Sequence, residues 1–314
     1  MRAVESVRAL LADSDPAAGL VADPARRRRD LRSILADPAG GAPPTAPTPR
    51  HRRVLVPLGV LATGAAAALA FGLLPGGTAG NAQAATPPPL HYQVPATTTP
   101  APQLLEDIAQ HTATLSEPDG PDTVLEWREW NLFTRIDGDT ATSRVVTETH
   151  KVVLHADGSG TDVRAFEGEK PRTQQLHRGL YPDPLPTDPA ALRETLRRST
   201  PAVDNPSGAA EAIRSVLRAQ ALDPAQRAAL LRLIAAIPGL RYDGTVVDRA
   251  GRPGEAFSAE SAGSGLPTRY TFIVDPTTGR VLGDEAMLTT SAGKLNVPVP
   301  SMIGYTAYLA AYRK

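Results

Sequence analysis

The chain of 314 residues has no cysteine, which excludes disulfide bridges, thiolate chemistry, cysteine-type zinc sites and a lipidated-cysteine anchor. Aromatic residues are scarce, with two Trp, seven Tyr and five Phe, so any core is built mostly from Ala, Leu, Val and Ile. No charge of either sign is in excess, since 33 Lys and Arg meet 33 Asp and Glu. Without a global basic field, nucleic-acid binding is not expected. The motifs of common enzymes are missing as well: there is no G-x-S-x-G, H-E-x-x-H, Walker A loop or G-x-G-x-x-G. No catalytic residue and no cofactor is therefore expected. No metal site is expected either. His150 and His155 are five apart, face opposite sides of a regular strand, and read as polar surface. Glu126 and Glu129 flank Trp127 on opposite faces and do not suggest a two-carboxylate glycosidase pair.

What the chain does have is one long uncharged run and 31 prolines. Residues 54–74, from Val54 to Leu74, read VLVPLGVLATGAAAALAFGLL. As a helix this run spans roughly 31 Å, the hydrocarbon thickness of a bilayer. Arg50, Arg52 and Arg53 abut its start, Arg26, Arg27, Arg28 and Arg29 lie upstream, and no Lys or Arg follows until Arg128. The excess of positive charge before the run puts residues 1–53 in the cytoplasm and the rest of the chain outside. A cleaved signal is the rival reading, with Ala82-Gln83-Ala84 as its processing site. The run is longer than a signal's apolar core, which favours an uncleaved single-pass anchor in the cell membrane. Neutrality is then a sum over two compartments, with net +4 before the anchor and net −4 after it.

The expected domains follow from composition. Residues 1–53 form a tail with two short helical patterns and a Pro-rich linker at 36–50. Its basic cluster at Arg26–Arg29 reads as a solvated helix face, an inner-leaflet contact or a contact for an acidic partner. Residues 75–102 carry seven prolines with Thr and Ala, an extended and poorly ordered stalk. Residues 103–314 are the exported domain. A short helix comes first, at 103–115. Strands follow at 124–136, 142–154 and 161–167. Helices are expected at 189 onward, 208–220 and 224–237, then strands at 240–248, 255–261, 268–275, 280–290 and 302–312. The third central helix has the fullest signals, with Asp223 as N-cap, Pro224 at the first position and Gln226 closing a capping box. Strands, helices, then strands predict an α+β domain on an antiparallel sheet packed on helices.

Within that domain, Trp127, Trp130 and Phe133 are the candidate ligand groove, because three large aromatics crowd one strand of an aromatic-poor chain. Packing of the tryptophans against the helical layer is the competing reading. On the opposed faces of this strand lie Val124, Trp130, Leu132 and Ile136, and Leu125, Trp127 and Phe133.

The stretch LDPAQRAALLRLIAAIPGLRYDGTVVDRAGRPGEAF, the stretch YTFIVDPTTGRVLGDEAML and the tail IGYTAYLAAY resemble a family of actinobacterial single-pass membrane proteins of unknown function. Members are often encoded beside extracytoplasmic-function sigma factors. The element order is similar to the fold of the lipoprotein carrier LolA and of MucB, in which a curved antiparallel sheet wraps helices and leaves an apolar cavity. The anchor, the two Pro-rich stretches and the short basic tail point to a membrane-anchored sensor or regulatory protein whose exported domain binds an envelope ligand or partner, and the resemblance implies an anti-sigma-like action. The tail would contact a sigma factor or another cytosolic partner. A tethered lipid or lipoprotein carrier, with an apolar envelope ligand, is the alternative; an envelope enzyme is a third. The chain departs from the zinc-binding anti-sigma pattern, since it has no H-x-x-x-C-x-x-C.

Overall fold

The computed structural model describes residues 86–94, 97–137, 140–177, 181, 184–295 and 297–314. The tail 1–53 with Arg26–Arg29, the run from Val54 to Leu74, and the first part of the stalk lie outside the described residues. Among the described residues no helix is long and apolar enough to cross a membrane.

Helix α1 (Ala101–Ala113) precedes four strands: β1 (Thr123–Asp137), β2 (Thr140–Leu154), β3 (Gly160–Phe166) and β4 (Arg172–Leu176). Three helices follow, α2 (Pro189–Ser199), α3 (Pro206–Leu217) and α4 (Pro224–Ala235). Strands β5 (Arg241–Val247), β6 (Pro253–Ser261), β7 (Thr268–Val274), β8 (Val281–Leu288) and β9 (Ser301–Arg313) complete the chain. All nine join one curved antiparallel sheet in the order β4-β3-β2-β1-β9-β8-β7-β6-β5. The two runs of strands are thus zipped together by the last strand, which lies between β1 and β8.

Each central helix starts on a capping side chain followed by proline, read from the sequence at Asp188 and Asp223; the helix expected from Gly208 starts two residues earlier, behind Asn205. Asp188 accepts the Ala191 N–H, Asn205 accepts the Gly208 N–H, and each is followed by proline at the first helical position. At α4 the capping box closes both ways: Asp223 accepts the Gln226 N–H at 2.8 Å, and the Gln226 side chain accepts the Asp223 N–H at 3.0 Å. Helix α4 is the hub of the helical layer, with α1 and α2 packed on it, while α3 packs on β6 and β7. Leu105, Leu196, Ile213, Leu231 and Ile234 are fully buried there, against Phe257 and Phe272 of the sheet. Burying each such side chain stabilises the fold by roughly 1.5–3 kcal/mol.

The opposite face of the sheet is partly covered by residues 86–94. This segment belongs to the stretch expected as stalk, yet Leu90 and Tyr92 pack on Val246, Ala256, Ile273 and Leu282 of β5–β8. The Gln93 N–H donates to Thr245 O at 2.9 Å, and Arg249 donates to Pro88 O at 2.9 Å. Burial first, and then the charge of Glu285, pushes the Tyr92 hydroxyl up to about 12.

Asp275 caps the β7–β8 turn through its side chain, accepting from the Thr277 N–H at 2.8 Å and from the Thr277 and Thr278 hydroxyls. In that turn Gly279 has φ +66°, and a Cβ added there would lie 2.1 Å from Thr112 Oγ1 of α1. Gly239, after α4, has φ +72° with nothing within 4 Å of the same position. Gly239→Ala carries only the left-handed penalty, about 1–2 kcal/mol. Gly279→Ala adds an overpacking cost and is expected to lose about 2–4 kcal/mol in urea unfolding. Equal losses at the two sites would show that α1 does not hold the turn tightly.

Candidate functional site around Trp127

Strand alternation places Leu125, Trp127 and Glu129 toward the helices and Trp130 away from them. Register then decides the neighbours. Trp127 lies opposite His150 of β2, and Glu129 lies opposite Glu148. The indole and imidazole rings stack with centroids 4.5 Å apart and planes 7° from parallel. Directly opposite residues of an antiparallel pair share a face, so this stack is a consequence of pairing.

Around the stack is a buried charged cluster. His150 is 8% exposed, Glu148 5% and Glu129 6%. His150 Nδ1 is 2.9 Å from Asp162 Oδ2 on β3. Its Nε2 points between Glu129 Oε1 and Glu148 Oε2, 3.4 Å from each, and closes a hydrogen bond with neither. Glu129 also accepts from Asn131 at 3.1 Å and from Arg218, just past α3, which in turn donates to Thr306 at 3.0 Å. Glu148 accepts from Arg164, whose guanidinium lies 4.5 Å over the Phe166 ring. Burial disfavours the imidazolium, but the hydrogen bond to Asp162 and the charges of Asp162 and Glu129 outweigh it and raise His150 to about 9. Burial likewise opposes ionisation of Glu129, and the neighbouring His150 imidazolium, the Arg218 charge and the Asn131 hydrogen bond hold it down to about 2. Three carboxylates therefore face two guanidiniums and one imidazolium, and the cluster is neutral. The expectation of His150 as polar surface is corrected here: the side chain is buried because its strand is covered by helices on that face. His155 does sit at the surface, half exposed and 3.1 Å from Asp122. The structure does not bring the two histidines together.

On the other side of Trp127 is a cavity of about 90 Å³, in whose wall stand Leu125, Leu217, Leu230, Val281 and Tyr308. It exists because β8 and β9 part company. Their pairing runs from Leu288↔Ser301 to Gly283↔Ala307 and stops, while β9 continues along β1 with Leu309 as an extra, unpaired residue. Arginines bridge the parted backbones. Arg252 donates to Tyr308 O at 2.6 Å and to Leu282 O at 2.7 Å, and Arg280 donates to Ala311 O.

Of the three groove candidates, only Trp127 lines this cavity. Trp130 is buried on the opposite face, stacked 6.1 Å from Tyr305, over which Arg249 lies at 5.1 Å. Phe133 is 50% exposed in a two-stranded arm, because β1 leaves β9 at Asn131 and pairs only with β2 beyond it. The three do not form one groove. Sequence reasoning missed Glu129, Glu148 and Asp162 as a group. Glu148 and His150 are two apart and so share a strand face, which is a legible signal; their partners become neighbours only through register.

No family model matches the chain, and no curated protein matches it. Solved structures with some likeness include the complex of Pseudomonas aeruginosa MucA and MucB, at 15% identity and a TM-score of 0.23, covering 67% of this chain and 56% of that one. Another is MucB in complex with MucA(peri), at 14% identity and a TM-score of 0.22, covering 68% of this chain and 55% of that one. The match thus spans little more than half of either solved chain, and at such TM-scores it carries no argument about this one.

Proposed function

We propose that the chain is a membrane-anchored regulatory protein whose exported domain binds a protein partner through the arm of β1 and β2, with residues 1–53 left to contact a cytosolic partner such as a sigma factor. The observation that carries the reading is the arm itself. Beyond Asn131 the two strands pair only with each other, and they expose Phe133 at 50%, Ile136 at 49% and Val145 at 38%. The arm is tied to the β8–β9 loop by Ser143, which donates to Leu295 O at 2.6 Å, and the apolar side chains it exposes gain free energy when a partner covers them. The LolA-like carrier reading would require a cavity for an apolar ligand. The space beside Trp127, about 90 Å³, is far below the roughly 300–1,000 Å³ of pockets that enclose drug-sized ligands.

The test is photo-cross-linking of the full-length protein in its own cells, with a photoreactive phenylalanine at position 133 or 136 and, as control, at exposed Gln110 of α1. The expected result is a discrete adduct from the arm, absent from the control, in the membrane fraction. Arm positions that give no adduct beyond the control would overturn partner binding there. Recovery of the protein in the soluble fraction would overturn the anchor.

A further inference from the structure

The cluster beside Trp127 has a geometry that charge balance alone does not demand. His150 is 8% exposed, its Nδ1 is oriented by Asp162 at 2.9 Å, and its Nε2 is aimed between two carboxylate oxygens without a hydrogen bond to either. A carboxylate on one ring nitrogen, with the other nitrogen making no hydrogen bond, is the arrangement that orients a histidine for metal ligation once its proton has left. The spacing agrees. Ligand atoms held about 2.0–2.1 Å from a tetrahedral zinc lie about 3.4 Å from one another. Nε2 stands 3.4 Å from Glu129 Oε1 and 3.4 Å from Glu148 Oε2, and all three atoms lie within 4.8 Å of one another.

We propose that His150, Glu129 and Glu148 form a site for a divalent metal ion of the zinc type, with Asp162 as the positioning residue behind the histidine and Arg164 as its competitor. The charges permit the exchange. Without the ion, Glu129, Glu148 and Asp162 are balanced by Arg164, Arg218 and the proton on Nε2. An incoming dication replaces that proton, which leaves to solvent, and the guanidinium of Arg164. The buried cluster stays neutral, with Arg218 still on Glu129. Arg164 can leave because its side chain is 43% exposed, whereas that of Arg218 is 27% exposed and also bonded to Thr306. The ion reaches the cluster along the path Arg164 vacates. One imidazole and two carboxylates suit zinc better than magnesium or calcium, which take oxygen ligands. This inference does not depend on the partner reading.

The test is titration of full-length protein, first stripped with a chelator, with zinc chloride at pH 8, followed by calorimetry and by the fluorescence of Trp127 against the His150 ring. One equivalent is expected to bind, with a change in emission. Glu148→Gln and His150→Gln are expected to weaken binding at least tenfold, and Asp162→Asn about 10–100-fold. Arg164→Gln is expected to tighten it severalfold, which a purely structural ion network would not do. No saturable binding, or binding that survives His150→Gln because exposed histidines such as His155 take the metal, overturns the proposal. Should His150→Gln fail to fold, Arg164→Gln decides: unchanged or weaker binding in that variant overturns it.

Discussion

Arg227→Met is expected to cost about 3 kcal/mol, while Arg232→Met, five residues further along the same helix, costs less than about 1 kcal/mol. The difference lies in what each guanidinium touches. Arg227 is 4% exposed and spans three segments. It donates to Glu117 Oε1 and Oε2 at 2.7 and 2.9 Å, to Leu222 O at 2.9 Å, and to Thr278 O at 3.0 Å in the β7–β8 turn. Methionine fills similar space but leaves two backbone carbonyls without this donor. Glu117 retains Arg280 at 2.8 Å and is about a quarter exposed, so its own loss is partial. Arg232 pairs with Glu106 of α1 where both side chains are about one-third exposed, and water replaces most of what is lost. For a domain of this size the first change lowers Tm by about 6–12 °C and the second by no more than a few degrees. The unfolding transition reported by Trp127 and Trp130 measures both. Equal losses would mean that Arg227 is not the tie between α4, the segment after α1 and the β7–β8 turn.

That contrast marks where the sequence is readable and where it is not. In LDPAQRAALLRLIAA the caps are local chemistry, so Asp223, Pro224 and Gln226 predict the start of α4 to the residue. Burial is not local. α4 is buried nearly all round, including Gln226 and Arg227, because α1, α2 and the sheet cover different sides of it. A stripe of Leu230, Leu233, Ile234 and Ile237 therefore describes only part of what is inside. Strand β1 is legible in its alternation: Leu125 and Trp127 enter the main core and Trp130 faces away. The weak strand β4, RTQQL, has no apolar alternation and is held by pairing with β3 and by Leu176, which packs against the core. Residues 86–94 read as stalk because prolines dominate them. Leu90 and Tyr92, two apart and hence on one side of an extended chain, were the only sign of packing. The cluster at His150 was half legible. Glu148 and His150 share a face by spacing, whereas Glu129 and Asp162 arrive from neighbouring strands whose register no local pattern sets.

The second large effect belongs to Asp284, whose removal is expected to cost about 3–5 kcal/mol. Asp284 is 3% exposed and faces the helices from the middle of β8. It accepts from both Nε and Nη2 of Arg214 on α3, the former at 2.9 Å, and from the Tyr308 hydroxyl at 2.8 Å. Burial, and then the Asp284 charge, pushes the Tyr308 hydroxyl well above its usual value, so the phenol stays protonated as the donor. Asp284→Ala leaves a cation and a hydroxyl facing a small void. Asp284→Asn keeps an acceptor for Tyr308 and loses only the charge, so its cost should fall between wild type and Asp284→Ala. The decisive variant is Arg214→Met combined with Asp284→Leu. If the cost of the single change is that of an abandoned charge, removing both charges costs less than Asp284→Ala alone. If the pair is worth its full attraction in the folded state, the double variant is the least stable of the set. Urea midpoints for the four proteins separate the two outcomes. The first would make the Arg214–Asp284 contact a device that fixes where α3 sits on β8, with little net stability of its own.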